Sequence, residues 1–214
     1  AYFQIHKSRG KAVVGNLVGP VPRGTVISDF YAVYDRLKTP QQKCLVHLKR
    51  EIHNHRGEDP PQDFREPDKI LKRLLADACR LTERRPILSP LVYVRRVRRL
   101  KDRLFLFATE TYSPKVWKRL SKRLLKHHKA IFTFLDIPGL PSHNNSAERA
   151  IRPHVIIRNR SFQSRTQNGA DTHATLTSLL ETLRLQKRAP LNPIKAAYLL
   201  HRQGFNQPTL FSKI

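Results

Sequence analysis

The sequence predicts an α/β fold interrupted by a helical insertion. Three observations carry this reading: short β-branched runs alternate with helix-spaced segments through residue 56, a proline-rich acidic stretch ends the alternation, and basic helical periodicity follows. A chain of 214 residues holds one sizeable core, or one core with an appended subdomain, and 39% hydrophobic residues exclude wholesale disorder.

Residues 2–5 alternate like the end of a strand. With no initiator Met, they predict a fragment whose first strand began upstream. Residues 11–18 carry apolar side chains at helical offsets, and the Gly-Pro-rich segment 19–24 breaks that helix. The β-branched run Thr25-Val26-Ile27-Ser28 predicts a strand with Asp29 at its carboxyl end; helix-like spacing resumes from Phe30 to Leu37. Residues 43–48 form a second short apolar run, passing into a charged helix over 49–55.

Three prolines and five acids between residues 57 and 68 predict a surface loop, because neither helix nor strand continues through them. Beyond it, Ile70, Leu71, Leu74, Leu75 and Ala78 share one helix side, and Trp117, Leu120, Leu124 and Ile131 form a later core stripe. After a break at 137–141, Asn145 is the expected N-cap of a short helix stopped by Pro153, followed by an extended segment at 154–157. Leu176, Leu179, Leu180 and Leu183 make an apolar stripe assigned to the core, Asn192-Pro193 starts a last helix, and the tail after Gly204 is irregular. The organisation expected is therefore a partial core over 1–56, a basic helical insertion over 57–136, and a C-terminal helical region over 137–214.

Charge supplies the partner class. Lys and Arg number 41 against 16 Asp and Glu, a net +25 that repels itself unless a polyanion is present, so nucleic acid leads. No run approaches the roughly eighteen apolar residues a membrane span needs. Two cysteines, Cys44 and Cys79, are too few for a disulfide framework and fit a reducing interior. Residues 95–129 hold thirteen Lys or Arg against two acids, which makes Arg95, Arg96, Arg98, Arg99, Lys118, Arg119, Lys122 and Arg123 candidate DNA contacts rather than a merely solvated face. His47, three residues after Cys44, lacks the four-ligand pattern of structural zinc and reads as a neighbour of the active site. The pairs His53/His55 and His127/His128 read as solvated surface histidines. Phosphate-loop, dinucleotide and nucleophile-elbow signatures are all missing.

Glu148 is the single acid between residues 137 and 170, in a field of arginines. Helix capping and an i,i+4 pair with Arg152 account for it locally. The whole string Asn144-Asn145-Ser146-Ala147-Glu148-Arg149-Ala150-Ile151-Arg152-Pro153, however, resembles the NNxAERxxRP signature of bacterial DDE-type transposases of the insertion-sequence-sixty-six class. Ser28-Asp29-Phe30-Tyr31 with Tyr34, and the stretch from Lys43 to Arg50, resemble in the right order the segments preceding that family's helical insertion.

The resemblance implies a ribonuclease-H-like core with three carboxylates holding two divalent metals, Mg²⁺ or Mn²⁺, for DNA hydrolysis and strand transfer. By position, Asp29 matches the second acid and Glu148 the third, 119 residues apart across the insertion. Residues 1–28 contain no acid, so the core is N-terminally truncated and this chain alone is expected to be inactive. Asp35 and Glu51 are weak substitutes, Asp35 reading as a surface helix acid. Arg149, Arg152, Arg158 and Arg160 are expected on the DNA backbone, with Arg152 also neutralising a nearby acid. The partners implied are element ends and target DNA plus a second copy of the protein, in the cytoplasm of a bacterium at the nucleoid. Two rival readings are a catalytically inactive DNA-binding remnant of such a transposase and, from charge alone, an RNA-binding or ribosome-associated protein.

Overall fold

The computed structural model describes residues 1–8, 10–19, 22–160 and 166–204. The chain divides into two compact units, residues 10–152 and residues 1–9 with 153–214.

The larger unit opens with helix α1 (Lys11–Val18), ended by Gly19 at φ 79°, a value glycine adopts without Cβ strain. Strand β1 (Val26–Ser28) pairs in parallel with β2 (Gln41–Lys43) in the register Val26 to Gln41 and Ser28 to Lys43, the connection passing through a 3₁₀ turn at Ala32–Arg36. Helix α2 (Leu45–Arg56) buries Leu45, Leu48 and Ile52. The second apolar run is thus helix, not strand, from Leu45 onward. With turns of 3.6 residues, 45, 48 and 52 fall on one face, and a run this short is ambiguous by period alone.

Helices α3 (Gln62–Glu83), α4 (Pro90–Thr109) and α5 (Lys115–Ile131) pack together with the short α6 (Thr133–Asp136) to form the main core. The expected loop over 57–68 ends earlier than predicted: α3 starts directly after Pro60-Pro61 and runs through buried Pro67. Pro67 lies near the helix start and forfeits one backbone bond there. Of the predicted α3 stripe, Leu71, Leu74, Leu75 and Ala78 are buried but Ile70 is exposed. Trp117 is fully buried against Phe64, Phe107 and Tyr112, and its Nε1 donates to the Phe64 carbonyl at 3.2 Å, joining α5 to the start of α3.

Buried Gln42 fastens the sheet to this body. Its Nε2 donates to the carbonyls of Lys43 and Ile131, and its Oε1 accepts the Phe134 N–H at 2.9 Å. Thr133 Oγ1 adds a bond to the Gln41 carbonyl at 2.6 Å.

Helix α7 (Asn145–Arg160) continues through Pro153 instead of stopping there, and His154 to Ile157 are helical, not extended. Pro153 removes one N–H from the ladder, and the division between the two units falls at this residue. In the smaller unit, Thr166 Oγ1 caps α8 (Gln167–Leu185) by accepting the Gly169 N–H at 3.1 Å. Residues 1–8 form no strand. The Ala1 amine and Phe3 N–H instead donate to Thr182 and Ser178 of α8. The leucine stripe of α8 is core only at Leu183, because Leu176 and Leu180 are exposed by 49% and 44%. The last helix, α9, spans Leu191–Arg202 and places Pro193 in its first turn. The tail predicted after Gly204 lies outside the described residues.

The protein is 70% helical, with a two-stranded parallel sheet among the described residues. That corrects the balance of the predicted α/β class: the parallel pair and its flanking helices are present, and a larger ribonuclease-H-like sheet is not seen among those residues. No helix among them is long and apolar enough to cross a membrane.

Candidate active site

A helix leaves its first N–H groups without intrahelical partners. At the start of α2 those donors go to two remote segments. Cys44 N–H donates to the Ser28 carbonyl at 2.8 Å, and Leu45 N–H donates to the Ser142 carbonyl at 3.0 Å. Consecutive residues therefore hold the end of β1, which carries Asp29, and the turn that leads into α7, which carries Glu148. Cys44 is fully buried, as a small apolar residue at this junction should be.

Asp29 Oδ1 accepts the Tyr31 N–H at 3.0 Å, which fixes the carboxylate at the strand end. It lines a cleft of about 470 Å³ shared with His47, Arg50, Asn54 and Arg123. Burial raises the Tyr34 phenol above its ordinary value, and the Asp29 charge adds to the rise. His47, on the first turn of α2, reaches from this cleft to Glu148: its Nε2 is 3.4 Å from Glu148 Oε1, close in distance but not aligned as a hydrogen bond.

Glu148 stands in the first turn of α7, where the positive end of the helix dipole favours a carboxylate. The helix begins at Asn145 and the Glu148 N–H donates to the Asn144 carbonyl at 3.1 Å, so Asn145 is the first helical residue and not the N-cap. Arg152 makes no ion pair with Glu148 among the described residues; the ionisable side chain beside Glu148 is His47. Around this point four buried polar atoms lack hydrogen-bond partners: His47 Nδ1, His143 Nδ1, Asn144 Oδ1 and Glu148 Oε1. Buried polar atoms are nearly always paired, so such a concentration marks a place where a further group fits. His143 went unnoticed in the sequence, though it directly precedes the Asn144-Asn145 string.

The two substitute acids are otherwise engaged. Asp35 is not a surface acid: Lys43 Nζ, 1% exposed, bonds it at 3.0 Å, Lys126 bonds it at 2.6 Å, and His127 lies 3.8 Å away. Burial works against its ionisation, but the hydrogen bonds from Lys126 and Lys43 outweigh that and hold its carboxyl below the ordinary value. His127 is correspondingly half-buried rather than solvated, and its burial lowers its pKa. Glu51 pairs with Arg119 and Arg123.

The predicted DNA contacts divide accordingly. Arg123 is half-buried on Glu51 with its guanidinium over the Phe30 ring, and Arg119 also binds Glu51, which partly neutralises both. Arg95, Arg96, Arg98 and Arg99 on α4 and Lys118 and Lys122 on α5 are exposed and form no ion pair among the described residues. Arg149 and Arg152 are exposed on α7 three residues apart; Arg158 and Arg160, also exposed, belong to the smaller unit. Among the described residues no group of three or more His, Cys, Asp or Glu is assembled to hold a metal ion.

Residues 1–172 match the model of the transposase IS66 family. The chain belongs to the IS66 transposase family. Membership gives transposition as the process and DNA as the substrate class, in agreement with a net charge of +25. No curated protein and no solved structure matches the chain.

Proposed function

We propose that this IS66-family chain carries two of the acids of a DDE-type active site, Asp29 and Glu148, and serves metal-dependent hydrolysis and strand transfer at element ends. The supporting observation is the paired donation from Cys44 and Leu45, which ties the Asp29 strand and the approach to Glu148 to one helix start. Carboxylate oxygens are the donors hard cations select, and Glu148 Oε1 is buried beside an imidazole without a hydrogen-bond partner, which suits Glu148 to a divalent cation. Asp29 and Glu148 would hold Mg²⁺ or Mn²⁺, the full site taking two ions. The metal, when bound, supplies Lewis-acid polarisation of the phosphoryl oxygen and a deprotonated nucleophile. Of the chain's own residues, His47 stands between the Asp29 cleft and the Glu148 carboxylate, 3.4 Å from Oε1, and Arg149 and Arg152 attract the DNA backbone. Bringing two element ends together calls for at least a dimer, acting at the nucleoid.

A second reading is a DNA-binding remnant without catalysis, in which the basic helices of the larger unit keep their affinity for the polyanion. One experiment separates the two. In protein expressed from its complete reading frame, Glu148→Gln abolishes joining of element ends in Mg²⁺ or Mn²⁺ while duplex affinity changes by less than about twofold. Joining retained by that variant refutes the assignment of Glu148. A parent protein that binds element ends but never joins them establishes the remnant.

A further inference from the structure

Arginines on α3 and α4 converge on one groove. Arg80 and Arg84, four residues apart, project from the end of α3, while Arg96, Arg99 and Arg103 lie on one side of α4. The groove they line has a volume of about 460 Å³ and buried Leu81 and Leu100 at its floor. Asp77 binds Arg80 and Arg103, which satisfies two of the five guanidiniums. Arg84, Arg96 and Arg99 make no ion pair among the described residues, and Glu83 is the only other acid of the lining. Like charges gathered over an apolar floor repel one another, since low-dielectric walls strengthen the field between them. Such an arrangement persists when an anion shared among the guanidiniums relieves it. A planar guanidinium fork matches two oxygens of one phosphate, which a lysine does not.

We propose that the α3–α4 groove is a cradle for the phosphate backbone of duplex DNA. It shares no lining residue with the cleft of Asp29 and His47. The proposal goes beyond the catalytic reading and stands without it, because it rests on guanidinium placement and is read by binding alone. It also separates the α4 arginines that sequence grouped together: Arg96 and Arg99 line the groove, whereas Arg95 and Arg98 do not. An open groove suits a continuous backbone better than a small phosphate, which would be enclosed on more sides.

The test is the salt dependence of binding to a short duplex of random sequence, by fluorescence anisotropy, with the chain and three variants. Each phosphate contact contributes about 0.9 to the log–log salt slope, so Arg84→Gln with Arg96→Gln and Arg99→Gln lowers the slope by about 2.7. Between 50 and 200 mM salt the parent then loses about 40-fold more affinity than the variant. The corresponding triple lysine substitution keeps most of the slope, which shows that loss of charge and not of fold is being read. Arg95→Gln with Arg98→Gln, removing charge outside the groove, lowers the slope by less than about 1. Equal loss per residue for the two sets would overturn the groove as a site, as would an unchanged slope in the triple glutamine variant. Displacement of DNA by micromolar inorganic triphosphate at constant ionic strength would assign the groove to a free polyphosphate instead, and tighter binding of a matched RNA duplex would assign it to RNA; either result overturns the proposal.

Discussion

Replacing Asp35 by Asn tests the most deeply buried charge in the larger unit. Lys43 Nζ is held by two partners, Asp35 Oδ1 at 3.0 Å and Ser28 Oγ at 3.3 Å, and the lysine side chain is 1% exposed. Without the carboxylate charge, a buried ammonium keeps only neutral acceptors, the Ser28 hydroxyl and the amide oxygen of the new side chain. Breaking a buried pair in this way costs roughly 3–5 kcal/mol, and the low end applies because the Asp35 side chain is 18% exposed and reaches some water. The Lys126 arm, on a side chain 59% exposed, adds less than about 1 kcal/mol. A loss of about 3 kcal/mol corresponds to a fall in Tm of roughly 6–12 °C for a chain of this size. Asp35→Asn with Lys43→Met removes both charges and recovers most of the loss, since no unpaired ammonium then stays buried. The pH dependence has a definite sign. Asp35 titrates below its ordinary value of 3.8, so its stabilisation is complete above that pH and is lost as pH falls through the lower folded value. Chemical denaturation of parent and variant at neutral pH and in acid measures both effects. A cost below about 1 kcal/mol at neutral pH would show that Lys43 reaches water and that this lock is not built as described.

Two further perturbations probe the joints of the fold. Gln42→Leu leaves the buried Phe134 N–H and Ile131 carbonyl without their bonds, so denaturant unfolding should show a loss of about 3 kcal/mol, at roughly 1–3 kcal/mol per orphaned group. Burial raises the phenols of Tyr34, Tyr93 and Tyr112 above the ordinary value of 10.0, most at Tyr112, whose hydroxyl donates to the Phe107 carbonyl at 2.8 Å. Phenolate absorbance of the folded protein should therefore lag behind that of the unfolded chain, with Tyr112→Phe narrowing the lag. Because the unfolded state loses these protons first, stability should fall as pH rises past 10.0.

Periodicity made the helical body legible. Trp117, Leu120, Leu124 and Ile131 recur at helical offsets, and all four are fully buried. The same logic failed on α8: Leu176 and Leu180 share the apolar spacing of Leu183 but stay exposed, because spacing reports a face and not whether anything covers it. Prolines misled twice. Local pattern makes Pro67 and Pro153 barriers, yet a helix passes through each at the loss of one backbone bond. Asp35 looked like a surface acid since two of its partners, Lys126 and His127, lie some ninety residues away in sequence. The contact of His47 with Glu148 was equally out of reach of local pattern, although the motif around each had singled out its neighbourhood.

The separation of the two candidate acids is less of an obstacle than 119 residues suggests. Loop-closure cost grows only with the logarithm of length, about 0.6 kcal/mol per doubling, so a long insertion is tolerated if its two ends are fixed. Here the return is fixed by the short stretch that leads into α2, the helix from which the insertion departs. Gln42 bonds the end of α5 and the start of α6, where the helical body returns, and Leu45 bonds Ser142, from which the chain enters α7. The helical body between them is internally packed around Trp117. Residues 42–45 therefore act as the junction at which insertion, strand and Glu148 helix meet. A substitution there should disturb the candidate site more than a larger change within α3 or α4.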